Sequence, residues 1–263
     1  VIAALGLRDD AIIRAEMCIK AGADGLTVDV AHGHMEKCLR IVKELKRKFP
    51  QLPLSAGVVA TYEGAYDLFW AGADAVRVGV GAGTICLTRV MTGCGVPQIT
   101  AILEAVKAQK KFKNKYVIAD GGIKNSGDIV KALAAGASAV TLGSLLAGTD
   151  EAPGKIIKRH GLLYKEYNAS TSFTEKEKQK KNGHNHSPHF ILHIEGIEAL
   201  VPYRGGVSGV LDKLCAGIRS GFSYCGAKNI LELWKKARFM QVTQAGYREG
   251  GVHDILLPEN FKR

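Results

Sequence analysis

The stretch that decides the fold is AVRVGVGAGTICLTRVMTGCGVPQ, residues 75–98, in which a glycine-rich loop follows an apolar run. The run at 75–80 has the composition of a buried strand. Gly81 and Gly83 come next, and without a Cβ their backbone can cradle an anion or offer carbonyls to a cation. Cys86 follows, and a thiolate beside oriented N–H dipoles is a usable nucleophile. A lone cysteine is more often a buried structural residue, so it is the glycine frame that favours catalysis.

Working outward, six short apolar or β-branched runs alternate with helix-period segments over the first 144 residues. The runs are VIAALG (1–6), GLTVDV (25–30), PLSAGVV (53–59), AVRVGV (75–80), YVIADG (116–121) and AVTLGS (139–144). This alternation predicts βαβ units and a parallel sheet. Four strand ends carry glycine or polar groups suited to one shared rim, as in a TIM barrel. An open doubly wound sheet would alternate similarly, but no GxGxxG fingerprint opens a helix.

The fold prediction is therefore a single α/β domain over residues 1–263, a (β/α)8 TIM barrel that lacks its first βα units. About six units precede residue 150, and the segment at 196–227 is expected to supply a late helix pair. Residues 168–194 are polar and lysine-rich, and a stretch this long inside a compact domain is usually a lid, a binding loop or a disordered segment.

The net charge of +11 favours anionic partners such as phosphates. Lysines concentrate at 107–115 and 176–181, but without interleaved aromatic residues, so we expect no nucleic-acid partner. No apolar run is long enough to cross a bilayer, and the start lacks a signal-peptide pattern. We therefore expect a cytoplasmic protein without a membrane partner.

The cysteines and histidines predict neither disulfides nor zinc. The six cysteines are dispersed without disulfide or zinc-ligand spacing, which suits a reducing compartment. His32 and His34 are two residues apart on a loop, where a solvated histidine is commoner than a metal ligand.

Two strand ends carry groups suited to a nucleotide. Asp120 ends the fifth run, where a carboxylate can accept hydrogen bonds from a ribose diol. A helix cap or Asx-turn is an equally reasonable role for Asp120. Gly143 and Ser144 end the sixth run and offer backbone N–H groups and a hydroxyl to a phosphate.

The loop at 81–98, GxGTICxTR followed by GxGxPQ, resembles the active-site loop of the IMP dehydrogenase and GMP reductase family. Other segments that resemble the family follow in order along nearly the whole chain. They are DVAHGH (29–34), ADGGI (119–123), LGS (142–144), EGIEALVPYRG (195–205), GIRSGFSYCGA (217–227) and EGGVHD (249–254).

The resemblance implies a set of site residues. It assigns catalysis to Cys86, Thr88 and Glu195. It assigns nucleotide binding to Thr84, Asp120, Gly122, Gly143, Ser144 and Tyr167. It assigns the cofactor NAD to Asp29, Gly79 and Gly81. It assigns potassium to Gly81, Gly83 and Cys86 of one subunit with Glu249, Gly250 and Gly251 of its neighbour.

The resemblance also implies the reaction, in which IMP is oxidised to XMP through a covalent cysteine–nucleotide intermediate, with NAD as acceptor, in a homotetramer. GVPQITAI and EGGVHD look like the dehydrogenase branch. The alternatives are a GMP reductase that uses NADPH, and a catalytically weak nucleotide-binding relative. Regulatory CBS modules would lie upstream of residue 1.

The resemblance implies that residues 168–194 are a mobile flap, and this flap departs from the family pattern. Dehydrogenases carry an Arg-Tyr pair there as the main water-activating base, and the flap of this chain has His184, His186 and His189 instead. A neutral imidazole can serve as a general base near neutral pH. Solvated loop histidines are an equally good interpretation.

Overall fold

The computed structural model describes residues 1–181, 194–252 and 255. The first six strands are β1 (Ile2–Leu5), β2 (Gly25–Asp29), β3 (Leu54–Val59), β4 (Ala75–Val78), β5 (Tyr116–Asp120) and β6 (Ala139–Thr141). The helices between and just after them are α1 (Ala11–Lys20), α2 (Glu36–Lys48), α3 (Tyr62–Trp70), α4 (Thr88–Thr92), α5 (Gln98–Gln109), α6 (Ser126–Ala134) and α7 (Ser144–Ala147). All six predicted runs are strands, and the βαβ alternation is confirmed.

These strands form one parallel sheet in the order β1 to β6, each paired with the next along the chain. Parallel pairing puts the carboxyl ends of all six strands at the same edge, as in part of a TIM barrel. The main core lies between the sheet and its helices and includes Val76, Val78 and Val117, which are fully buried. The strands are apolar because both faces of the sheet are covered or line the interior.

A second, antiparallel sheet follows the parallel one. It consists of β7 (Ile156–Arg159), β8 (Leu162–Asn168) and β9 (Glu198–Pro202), in that order. Helix α8 (Phe173–Lys181) lies between β8 and β9 along the chain.

The predicted flap is thus partly regular structure. Asn168 still belongs to β8, and α8 occupies 173–181. The start of α8 is held because Glu198 accepts a hydrogen bond from the backbone N–H of Thr174 at 2.9 Å. Sequence reading missed α8 because its surface is polar on nearly every side, so no apolar period indicates a helix. Residues 182–193, with the three flap histidines, lie outside the described residues.

The chain continues with α9 (Val207–Tyr224), α10 (Ile230–Lys236) and α11 (Gln244–Glu249). Helix α9 lies in the segment predicted to supply a late helix pair, and α10 follows it. Both helices pack against α6 in a second apolar cluster, with Leu233 fully buried. None of the helices in the described part of the chain combines the length and apolarity that a membrane crossing requires.

Packing of α3 against α5 and β4 gives a stability prediction. Phe69 is 2% exposed and its ring lies 5.6 Å from that of Phe112, whereas the adjacent Trp70 is 76% exposed. Phe69→Ala should lower the free energy of unfolding by about 3–5 kcal/mol through the lost burial and the cavity it leaves. Trp70→Ala is the matched control and should cost under about 0.5 kcal/mol. Denaturant unfolding measures both, and equal costs would contradict the assigned burial.

Candidate active site

A cleft of about 690 Å³ opens at the carboxyl edge of the parallel sheet. It is lined by the loops after β1, β2, β4 and β5 and by the segment that returns from the flap. Arg77, which the sequence analysis did not single out, lines it together with eight predicted residues. These are Asp29, Gly79, Gly81, Gly83, Cys86, Thr88, Asp120 and Glu195. The strands therefore bring together residues that were predicted for catalysis, cofactor binding and substrate binding and that are far apart in sequence.

The cysteine loop is fixed by backbone hydrogen bonds to the segment that leads into β9. The N–H of Leu87 donates to the Glu195 carbonyl at 2.7 Å, and the N–H of Ile197 donates to the Ile85 carbonyl at 3.1 Å. Cys86 and Gly196 form an antiparallel bridge between these bonds. Gly196 is needed there, because a Cβ would collide with the Ala169 side chain. The backbone alone therefore places Glu195 beside Cys86.

Cys86, Thr88 and Glu195 form a short hydrogen-bonded chain. The Thr88 hydroxyl donates to Glu195 Oε2 at 2.6 Å, and Cys86 Sγ lies 3.1 Å from Thr88 Oγ1. Thr88 has one hydroxyl proton, which it gives to the carboxylate, so the thiol S–H is the donor in the contact between Cys86 and Thr88. The arrangement can carry a proton from the sulfur, or from a molecule in its place, toward Glu195.

The two carboxylates predicted to bind ribose share one arginine. Arg77 lies in β4 and pairs with Asp29 at 2.8 Å and with Asp120 at 2.5 Å. Burial raises the pKa of Asp120 above its usual value, an effect that Arg77 opposes and Asp29 reinforces. Asp120 does not cap the following helix α6, whose N-cap is Asn125. Sequence reasoning missed Arg77, although an arginine inside the apolar run AVRVGV is a visible signal of a buried partner.

The predicted phosphate residues meet beside the cleft. Thr84 Oγ1 lies 3.0 Å from Ser144 Oγ, although 60 residues separate the two in sequence. A Cβ at Gly143 would lie 2.5 Å from the Tyr167 hydroxyl, so Tyr167 approaches the same turn. Burial raises the pKa of Tyr167, and the nearby charge of Asp120 adds to this. Two hydroxyls, a glycine backbone and a phenol therefore form one polar corner.

The glycines of the loops allow two strand ends to approach closely. A Cβ at Gly79 would collide with the carbonyl oxygen of Asp120, and one at Gly122 would lie 3.5 Å from Gln98. Gln98 Nε2 joins the two strands by donating to the carbonyls of Val78 at 2.8 Å and Asp120 at 3.1 Å.

Arg89 fixes the other side of the glycine loop. Its guanidinium donates to the Val80 carbonyl at 3.1 Å and to the Val96 carbonyl at 2.5 Å. A Cβ at Gly81 would lie 2.5 Å from Arg89 Cγ. The loop that carries Gly81 and Gly83 is therefore held at both of its ends.

The structure does not bring every predicted residue to the cleft. Gly250 and Gly251 lie beyond α11, and the nearest atoms to a Cβ at either belong to α11 itself. The predicted potassium site needs Glu249, Gly250 and Gly251 of a second chain, so it stays a prediction.

His34 Nε2 lies 2.9 Å from Asp67 Oδ2, so this histidine has a carboxylate partner rather than water alone.

The sheet and the site define a class of protein, an α/β-barrel domain whose cleft holds a hydrogen-bonded cysteine, threonine and glutamate and two carboxylates that share one arginine. The family model described as IMP dehydrogenase / GMP reductase domain matches residues 1–253. The chain belongs to the IMP dehydrogenase / GMP reductase family.

Curated relatives agree with this membership. The chain is 49% identical over 256 residues to an inosine-5'-monophosphate dehydrogenase of Aquifex aeolicus, covering 96% of this chain and 52% of the relative. It is 45% identical over 261 residues to the enzyme of that name from Nitrosopumilus maritimus, covering 97% and 54%.

Among solved structures, a GMP reductase variant from Trypanosoma brucei, in complex with guanosine 5'-monophosphate, superposes with a TM-score of 0.90. The two are 40% identical, and the match covers 97% of this chain and 52% of that one. The chain thus spans about half the length of the relatives that it matches.

The contact between Gly79 and Asp120 gives a prediction about the site. Gly79→Ala should weaken mononucleotide binding and destabilise the fold, because the methyl group pushes the Asp120 backbone away. Gly93→Ala is the matched control, since Gly93 also has a positive φ but nothing lies within 4 Å of its Cβ position. Gly93→Ala should show only the backbone cost of about 1 kcal/mol. Thermal unfolding and calorimetric titration with IMP separate the two variants; equal effects would refute the close approach.

Proposed function

We propose that the protein containing this chain oxidises IMP to XMP with NAD through a covalent intermediate on Cys86. The observation that carries the proposal is the hydrogen-bonded chain of Cys86, Thr88 and Glu195, with its contacts of 3.1 and 2.6 Å, at the cleft. The inosine-5'-monophosphate dehydrogenases among the relatives support the same reaction.

The residues of the cleft suit both ligands. Asp120 would bind the ribose of IMP, and the corner of Thr84 and Ser144 would bind its phosphate. The donors for NAD are Asp29, whose half-exposed carboxylate faces the cleft, and the backbone at Gly79 and Gly81. When bound, NAD supplies the acceptor for a hydride.

The reaction has two stages. The Cys86 thiolate adds to C2 of the purine, and C2 gives up its hydride, so the nucleotide is left attached to sulfur as a thioimidate. Water then adds to C2 and the thiolate leaves, which yields XMP. Before the first stage the thiol donates to Thr88, and once the sulfur is bonded to carbon this acceptor position is open to water. The thiol proton leaves to solvent before the first stage, so the Thr88–Glu195 pair can take the proton of the attacking water in the second stage.

Glu195→Gln tests the second stage. A neutral amide is a far weaker proton acceptor, so hydrolysis should slow by about 100-fold or more while hydride transfer continues. Intact-protein mass spectrometry after mixing with IMP and NAD should show the nucleotide on Cys86. Cys86→Ala is the control, with no adduct and no NADH, and with IMP affinity within about tenfold of the wild type. A Glu195→Gln protein that turns over normally without an adduct would remove Glu195 from the mechanism.

Because the solved neighbour is a GMP reductase, the two branches of the family have to be separated. Absorbance of the reduced cofactor, measured with the purified protein, does so. NADH formation with IMP supports the proposal. NADPH consumption with release of ammonia from GMP would establish the reductase instead. Nucleotide binding with neither reaction would indicate a catalytically weak relative.

We further propose that potassium binds between subunits of a homotetramer, at carbonyls of the 81–86 loop and at residues 249–251 of a neighbour. Carbonyl oxygens suit a hard monovalent cation. Glu249→Ala should abolish the activation of NADH formation by potassium relative to sodium, whereas Arg248→Ala, one residue earlier and also exposed, should retain it. Unchanged potassium activation in Glu249→Ala would exclude this site.

A further inference from the structure

The sheet aligns Asp29 and Arg77 in one row across three strands. Asp29 of β2 pairs in register with Gly57 of β3, and Gly57 pairs with Arg77 of β4. The next strand continues the row with Ile118, and Asp120 lies two residues further on the same face. Arg77 therefore lies between the two carboxylates, on the face of the sheet that they share.

Gly57 is what lets Arg77 reach across β3 to Asp29. A side chain at this position would stand between the two charged groups, and its Cβ would lie 2.8 Å from Arg77 Cβ. With glycine there, Arg77 Nη1 contacts Asp29 Oδ2 at 2.8 Å. The other end of the same guanidinium donates from Nε to Asp120 Oδ2 at 2.7 Å.

The pairing leaves room for ligands. Arg77 engages Oδ2 of both carboxylates, so Oδ1 of each remains for a hydroxyl donor. The Arg77 side chain is 15% exposed and that of Asp120 is 18% exposed, so solvent screens the pairing weakly. A planar guanidinium also fixes the angle between its two partners, which a flexible ammonium group does not.

We propose that Arg77 is a positioning residue that holds Asp29 and Asp120 in one rigid frame, so that the mononucleotide and dinucleotide subsites are coupled through it. The inference rests on the proposed function for the identity of the two ligands. The frame itself rests on the distances from Arg77 to Asp29 and Asp120. Loss of Arg77 should therefore disturb both subsites, although Arg77 need touch neither ligand.

A double-mutant cycle on IMP affinity tests the coupling, with calorimetry in the absence of NAD. Asp29 is assigned to the dinucleotide, and its direct charge effect on Asp120 is the weakest of those that act there, so its effect on IMP should pass mainly through Arg77. Asp29→Ala should weaken IMP binding about three- to tenfold in the protein with Arg77. In the Arg77→Lys background, where one ammonium cannot hold both carboxylates, Asp29→Ala should weaken it less than about twofold. An equal effect of Asp29→Ala in both backgrounds, or none in either, would overturn the proposal.

Arg77→Met tests whether both subsites depend on the frame. Affinity for IMP alone, and for NAD titrated into the IMP-saturated Cys86→Ala protein, should each fall about tenfold or more. Arg47→Met, on the exposed surface of α2, is the control and should leave both affinities unchanged. A loss confined to one ligand would show that Arg77 serves a single subsite.

A titration of the Asp120 carboxyl group, made without IMP or NAD, tests the frame separately from the proposed function. Carboxyl-carbon NMR titration should show that Arg77→Met raises the pKa of Asp120 further, since Arg77 opposes the rise that burial causes. Far-UV circular dichroism checks that the variant is folded, and Arg77→Lys replaces it if it is not. If the wild-type protein binds no IMP, the proposed function fails while this titration still decides the frame. An unchanged Asp120 pKa would overturn the frame even in a protein that makes XMP.

Discussion

The backbone bridge between residues 85–87 and 195–197 is the contact on which the site depends. It joins the loop after β4 to the segment before β9, across more than a hundred residues of chain, with two hydrogen bonds of 2.7 and 3.1 Å. Because backbone groups make these bonds, the approach of Glu195 to Cys86 does not rely on side-chain packing. The acid–base pair is therefore placed by the same type of bond that builds a sheet, which holds it rigidly before any ligand arrives.

The sequence predicted the parts of this arrangement that follow from local pattern. All six strands of the parallel sheet were predicted, because each is a short apolar run between helix-period segments. The grouping of Cys86, Thr88 and Glu195 was predicted through the family motifs, and the structure brings the three side chains into contact. Of the polar corner, Ser144 was predicted from the end of the sixth run, and Thr84 was assigned through the family resemblance.

The features that the sequence did not predict depend on strand register and on a polar helix. The local pattern of apolar and polar residues determines neither. Asp120 was assigned to ribose, but its pairing with Arg77 requires knowing that β4 lies beside β5 with Arg77 opposite Ile118. Helix α8 was missed because amphipathic period is absent from FTEKEKQKK, and its start is held by a hydrogen bond to Glu198 of β9. The site at 249–251 involves a second chain in the prediction, so no single-chain pattern or structure can test it.

Charge in the cleft restricts how a nucleotide can lie there. The chain carries a net charge of +11, yet Asp29, Asp120 and Glu195 line the floor of the cleft, and Arg77 is already paired with the first two. Carboxylates repel a phosphate but accept hydrogen bonds from sugar hydroxyls. Under the proposed function, this charge pattern favours the phosphate at the uncharged corner of Thr84 and Ser144 and the ribose at Asp120. Cys86 follows Thr84 by two residues on the same loop, so the base of a nucleotide held this way extends along that loop toward the sulfur.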